Sequence, residues 1–192
     1  DRDQFVSLTN RVTKNSWGTL GVGFLQRYYT RPFTEFDLDI TYYKARFNFK
    51  LKRFGTLAFQ INQGRAESES HLGILRPSSF DRSYNTQELF IPVTIKYRLP
   101  FIQSFGFSYR SEKRIYDAED PNDVLHAGRS HKDKKISLWF RKNVREDVSI
   151  KISSRLRSRE TDSGYEWVSD LKSFNQLQFW INIEWDLIYD QY

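Results

Sequence analysis

The sequence predicts an all-β fold, an antiparallel up-and-down transmembrane β-barrel with about eight or nine strands in this chain. Three observations carry that expectation. Apolar and polar residues alternate over long runs, the connections between runs alternate between short and long, and no stretch approaches the roughly 20 consecutive apolar residues a membrane helix needs. In lipid every backbone polar group must be satisfied within the protein, so a chain of this kind spans a bilayer only with strands.

Composition is consistent with two segregated faces. Of 192 residues, 16 are Phe, 11 Tyr and 5 Trp, yet 28% are charged and the mean hydropathy is −0.68. The length suits one domain over residues 1–192. There is no Cys, which excludes disulfides, thiolate metal sites and cysteine nucleophiles. The net charge of +6 and a pI near 9.4 raise nucleic acid as a partner. It is not expected, because the basic residues recur strand by strand and form no single patch or tail.

In chain order, Phe5 to Thr13 places Val6, Leu8 and Val12 on one face, a possible ninth strand. Leu20, Val22 and Phe24 mark the next. From Glu35 to Arg53, Tyr43, Ala45, Phe47, Phe49 and Leu51 oppose Lys44, Arg46, Asn48, Lys50 and Lys52, while Phe36, Leu38 and Ile40 fall out of phase. A bulge near Tyr42 would reconcile the halves. Leu57, Phe59 and Ile61 follow. The clearest run is Tyr84 to Leu99, with Leu89, Ile91, Val93, Ile95, Tyr97 and Leu99 on one side and Glu88, Phe90, Pro92, Thr94, Lys96 and Arg98 on the other. Pro92 is a blemish there, since it removes a ladder donor and normally sits at an edge or bulge. Phe105, Phe107 and Tyr109, then Ile136, Leu138 and Phe140, then Val148, Ile150, Ile152 and Leu156 give three more strands. The last run alternates from Gln176 to Tyr189.

Tight connections are expected at Lys14 to Ser16, Arg53 to Gly55, Pro100 to Gln103 and Asn143 to Asp147. Long polar ones are expected at Gly64 to Ser83, Asp117 to Lys132 and Glu160 to Ser173, and the link near Arg31 to Thr34 breaks the pattern. Outer-membrane barrels have such unequal rims, with short periplasmic turns and long extracellular loops. Tyr28, Tyr97, Tyr109, Trp185 and Tyr189 lie near row ends, where rings prefer the headgroup level. A soluble sandwich or lipocalin-like barrel would show the same alternation with its faces exchanged. Strand length, row-end aromatics and loop asymmetry favour the membrane.

For catalysis the sequence offers His71, His126 and His131, all in expected loops, with Ser130 beside His131 and Glu119, Asp120 and Asp123 nearby. These types suit a lipid hydrolase or protease only if the fold assembles them. No enzyme, metal site or cofactor is expected; Gly21, Gly23 and Gly106 are read as easing curvature, since no phosphate-loop spacing follows them.

The segment from Ser149 to Trp185 has an up-strand ending in Arg155, Arg157 and Arg159, a polar loop with Ser163, Tyr165 and Trp167, and Ser173, Phe174 and Asn175 opening the final strand. It resembles the closing hairpin of many outer-membrane barrels and is similar in particular to barrels that follow tetratricopeptide scaffolds in exopolysaccharide exporters. Phe105 to Phe140 repeats it loosely, with Tyr109, Arg110 and Arg114 rising and His131, Lys132 and Asp133 descending. The resemblance implies a bacterial outer-membrane location, contact with the lipid bilayer and lipopolysaccharide, anionic polysaccharide as cargo, and a periplasmic partner module.

With apolar rows toward lipid, the lumen would receive Lys44, Arg46, Lys50, Lys52, Lys96, Arg98, Arg110, Arg114, Lys135, Arg141, Lys151, Arg155 and Arg157, against fewer acids, chiefly Glu88, Glu112, Glu184 and Asp186. Such a wall pairs off and closes in a narrow barrel, and attracts anions in a wide one. The expected functions are an anion or polysaccharide pore, a closed anchoring barrel, or a lipid-modifying enzyme. Counting turns back from the last strand puts Asp1 at the long-loop rim, so the chain is expected to be the C-terminal part of a larger barrel.

Overall fold

A computed structural model of the chain describes residues 1–30, 37–68, 81–96 and 102–185. Nine strands form one antiparallel sheet in strict sequence order: β1 (Arg2–Thr13), β2 (Ser16–Arg27), β3 (Leu38–Leu51), β4 (Gly55–Glu67), β5 (Tyr84–Ile95), β6 (Ser104–Tyr116), β7 (Ser130–Asn143), β8 (Val148–Asp162) and β9 (Phe174–Trp185). Each holds 12 to 15 residues, against about 5 to 6 in a typical soluble strand. Among the described residues the sheet is not closed, and β1 and β9 each have a single strand neighbour. Among the described residues no helix is long and apolar enough to cross a membrane.

The ninth strand, β1, is therefore present. Register is unbroken through most of the sheet, so one parity of residues in each strand lies on one face and the other parity on the opposite face. The expected bulge near Tyr42 does not form: β3 pairs continuously with β2 from Leu38 to Phe49 and with β4 from Asp39 to Leu51. Leu38 and Ile40 instead join the polar face, packing with Leu25, Ala66, Tyr84 and Tyr116. Pro92 sits inside the sheet without a bulge. The β4–β5 ladder lapses between Leu57↔Val93 and Gln60↔Phe90 and resumes in the same register, because Pro has no N–H to give on that side.

The strand ends leave 14–15, 52–54, 96–103 and 144–147 at one rim, and 28–37, 68–83, 117–129 and 163–173 at the other. The link near Arg31 to Thr34 thus belongs to a longer connection than expected, although 31–36 lie outside the described residues. The last connection carries a short helix, α1 (Glu166–Lys172), where only a polar loop is expected from the sequence. Its Val168 is fully buried, and Tyr165 reaches over to donate from Oη to the Pro121 carbonyl at 3.2 Å.

The two faces differ in exposure in the sense opposite to that of a water-soluble sheet. Leu8 (74% exposed), Ile61 (60%), Phe179 (70%) and Ile181 (71%) stand on the apolar face, while Asn48 and Gln60 (both 7%) and His131 (4%) lie on the polar one. No second layer packs on either face among the described residues, so the sheet's own curl shields the polar side. Contacts that skip a strand agree: Phe5 of β1 stacks on Tyr42 of β3 with ring centres 5.9 Å apart, and the Tyr42 hydroxyl donates to Asp3 at 3.1 Å. Both cross β2 where it carries Gly21 and Gly23. A Cβ on Gly21 would meet the Phe5 ring and one on Gly23 the Tyr42 ring, and a Cβ on Gly106 would likewise meet Trp139. Glycine leaves space for these rings to lie flat on the concave wall.

Candidate functional site on the concave face

On the convex face one apolar row runs through Leu8, Leu20, Ala45, Ile61 and Leu89 of β1 to β5, where it meets Ser111 of β6, and the next runs through Ile91, Tyr109, Ile136, Leu156 and Leu177 of β5 to β9. Toward the longer connections the same face turns polar, with Gln26, Asp39, Arg65, Gln87, Lys113, Lys134 and Glu160. Tyr28 and Trp185 sit at strand ends, the latter donating from Nε1 to Asp147 at 3.0 Å, whereas Tyr109 is mid-strand. Tyr97 and Tyr189 lie outside the described residues.

The concave face gathers Lys44, Arg46, Arg110, Arg114, Lys135, Arg141, Lys151, Arg155 and Arg157 with Glu88, Glu112 and Glu184. Two of the expected wall residues fall outside the strands that make this wall. Lys52 is in the β3–β4 turn with a positive φ of 48°, and Lys96 follows the end of β5, whereas Lys50 keeps the concave-face parity of β3 and stands exposed at its end, paired with Thr56. Arg98 and Asp186 lie outside the described residues. The structure adds Asp133, Arg159, Trp139, Trp180, Phe90 and His131, all on the same alternating rows; counting by twos past Arg157 and Lys135 finds the first two.

Part of the wall is knitted together. Arg46 Nη1 donates to Gln60 (3.4 Å), Gln60 to Asn62 (3.3 Å) and Asn62 to Glu88 (2.8 Å), and Glu88 faces Arg110 at 3.6 Å, a relay across four strands. Asp133 takes Arg159 Nε at 2.6 Å and Arg157 Nη2 at 3.2 Å. Arg114 meets Glu112 at 2.7 Å and Arg141 meets Glu184 at 2.6 Å. Lys44, Arg46, Lys135, Lys151 and Arg155 have no acidic partner among the described residues. Several cations lie over rings instead: Arg155 over Trp180 (4.7 Å), Lys151 over Trp139 (5.3 Å) and Arg110 over Phe90 (4.8 Å). The surplus charge is positive, so the face attracts anions.

Of the candidate catalytic residues that are described, the structure brings together His126 and Asp123 and sets Ser130 and His131 on opposite faces. His131 belongs to β7 and not to a loop; its Nδ1 meets Thr161 Oγ1 at 2.8 Å. Ser130 precedes it on the strand and so points to the opposite face. His126 lies in the 117–129 connection, its Nδ1 2.9 Å from each carboxylate oxygen of the buried Asp123. Burial lowers the pKa of His126, with Arg129 and Arg82 acting in the same sense and outweighing the raising influence of Asp123. His71 lies outside the described residues. Among the described residues no cluster of His, Asp or Glu has the grouping of a metal site. No family model, no curated protein and no solved structure matches this chain.

Proposed function

We propose that the chain forms part of a bacterial outer-membrane β-barrel in which the convex apolar face lies in lipid and the basic concave face lines a conduit for anionic solutes or anionic polysaccharide. The observation that carries this reading is the inverted burial: the large apolar side chains are the exposed ones, and the polar wall is shielded by curvature. Strand length and unequal rims support it, the short turns lying toward the periplasm and the polar collar of the convex face at the level of lipopolysaccharide headgroups. The resemblance of the Ser149 to Trp185 hairpin to exopolysaccharide exporters supports a polymeric cargo and a periplasmic partner module.

Closure follows a parity rule. In an up-and-down sheet of nine strands β1 and β9 run in the same direction, so an all-antiparallel barrel requires an odd number of further strands between them, from this or another polypeptide. A wider barrel keeps the basic wall hydrated.

Planar-bilayer recording tests the conduit. Persistent conductance with anion selectivity that weakens when Lys135 and Arg155 are changed to Gln is expected; a silent but inserted protein refutes it. The ion pairs centred on Asp133, Glu112 and Glu184 favour a second reading, a closed anchoring barrel, and silence would select it.

A further inference from the structure

Between β7, β8 and β9 three residues stand in one row of the concave face: Trp139 pairs with Ser153, and Ser153 pairs with Trp180. Two indoles thus flank a floor made by one small hydroxyl residue. The cleft has a volume of about 330 Å³, and Lys151, Arg155 and Asn182 complete it. That is the size range of a small-ligand site. Trp139 rests on Gly106 and holds the Lys151 ammonium 5.3 Å from its ring centre, as Trp180 holds the Arg155 guanidinium at 4.7 Å, so the two indoles fix both cations at the cleft.

Charge decides what fits. Elsewhere on this wall Arg110, Arg114, Arg141, Arg157 and Arg159 meet carboxylates. Lys151 and Arg155, one on each side of Ser153 along β8, have no carboxylate among the described residues, and Arg155 Nε is buried without a hydrogen-bond acceptor. The Lys151 ammonium and the Arg155 guanidinium, which line the cleft, are complemented by an anion that accepts charge-assisted hydrogen bonds from them. Two indoles with their cations, beside the Ser153 hydroxyl and the Asn182 amide, match an acidic pyranose, whose C–H groups contact aromatic surface and whose hydroxyls radiate from its edge.

We infer that the Trp139–Ser153–Trp180 cleft is a binding subsite for one acidic sugar residue, its carboxylate held by the Lys151 and Arg155 head groups that the indoles position and its hydroxyls met by Ser153 and Asn182. The inference rests on the conduit reading and names the class of cargo, a polymer containing carboxylated hexoses.

Calorimetric titration of the detergent-solubilised chain with trigalacturonate and with neutral maltotriose tests it. Trigalacturonate is expected to bind and maltotriose to bind at least about tenfold more weakly, as expected for loss of charge-assisted hydrogen bonds. K151Q/R155Q should bring the acidic sugar down to the neutral one, and Ser153→Leu, which fills the floor without touching ring or charge, should abolish both signals. Each variant is first shown to keep the parent's circular dichroism and heat-modifiable gel mobility. Equal binding of the two sugars, or trigalacturonate binding unaltered in Ser153→Leu, overturns the subsite. Conductance without sugar binding refutes the subsite and leaves the conduit standing, whereas sugar binding in a silent barrel does the reverse.

Discussion

Replacing Ile61 by Arg separates a lipid-facing convex surface from a water-facing one, because the two environments give opposite answers at the same site. Ile61 sits mid-row on β4 between Ala45 and Leu89 and is 60% exposed. In water, about two fifths of the side chain is in contact, and the methylene stem of Arg retains much of that packing, so the change stays within about 0.5 kcal/mol. At the middle of a bilayer the same substitution costs about 2–4 kcal/mol, falling to about 0–1 near the interface. Gln63, two residues nearer the long-loop rim on the same face, supplies the depth control. The assay is reversible guanidinium unfolding from vesicles of a short-chain phosphatidylcholine. The expected ordering is a large loss for Ile61→Arg and a small one for Gln63→Arg; two equal losses below about 0.5 kcal/mol would refute lipid contact.

Three further outcomes follow from the geometry. Gly23→Leu drives a side chain into the Tyr42 ring and should destabilise the sheet by about 1–3 kcal/mol, with Gly18→Leu, which has open space beyond a 3.7 Å contact with Phe47, losing less in the same unfolding assay. Asp133→Ala strands two guanidinium groups; its carboxylate is 16% exposed, and the expected loss is about 2–4 kcal/mol, reduced from the fully buried case because Arg157 is partly open to water. For His126, the folded pKa lies below the ordinary value of 6.5, so on acidification the opened loop takes up a proton before the packed one does. Packing of residues 117–129 is then full above about pH 6.5 and weakens as pH falls through the folded value, and amide exchange there should quicken between pH 7.5 and 5.5 in the parent but not in His126→Phe; faster exchange on raising the pH, beyond the intrinsic chemical rate, would contradict this.

Most of the strand plan is legible in the sequence because period-two alternation is a direct consequence of backbone pleat, and β1, β5 and β9 are visible from it alone. Reading failed where two residue types compete for one face. Leu38 and Ile40 look out of phase with Tyr43 to Leu51 only if every apolar residue must face the same way; the structure keeps the register and lets these two pack on Tyr84 and Ala66 at the concave rim. Helix α1 was not visible because a seven-residue helix with one buried residue, Val168, leaves no periodicity to detect. The cationic rows were readable, but the cleft was not, since Trp139, Ser153 and Trp180 meet only through the pairing of three strands. Lys52 lies off the wall because the alternation of β3 does not continue into the turn, where its φ is 48°.

The central claim is that the convex row faces lipid and the concave row faces a polar interior. Since the chain has no cysteine, single cysteines can be introduced one at a time at positions 57 to 62 of β4 and labelled with an environment-sensitive fluorophore in reconstituted vesicles. Quenching by a lipid-borne nitroxide should be strong at 57, 59 and 61 and weak at 58, 60 and 62, with the reverse alternation for a water-soluble quencher. Uniform access of the water-soluble quencher to 57, 59 and 61 would contradict the account.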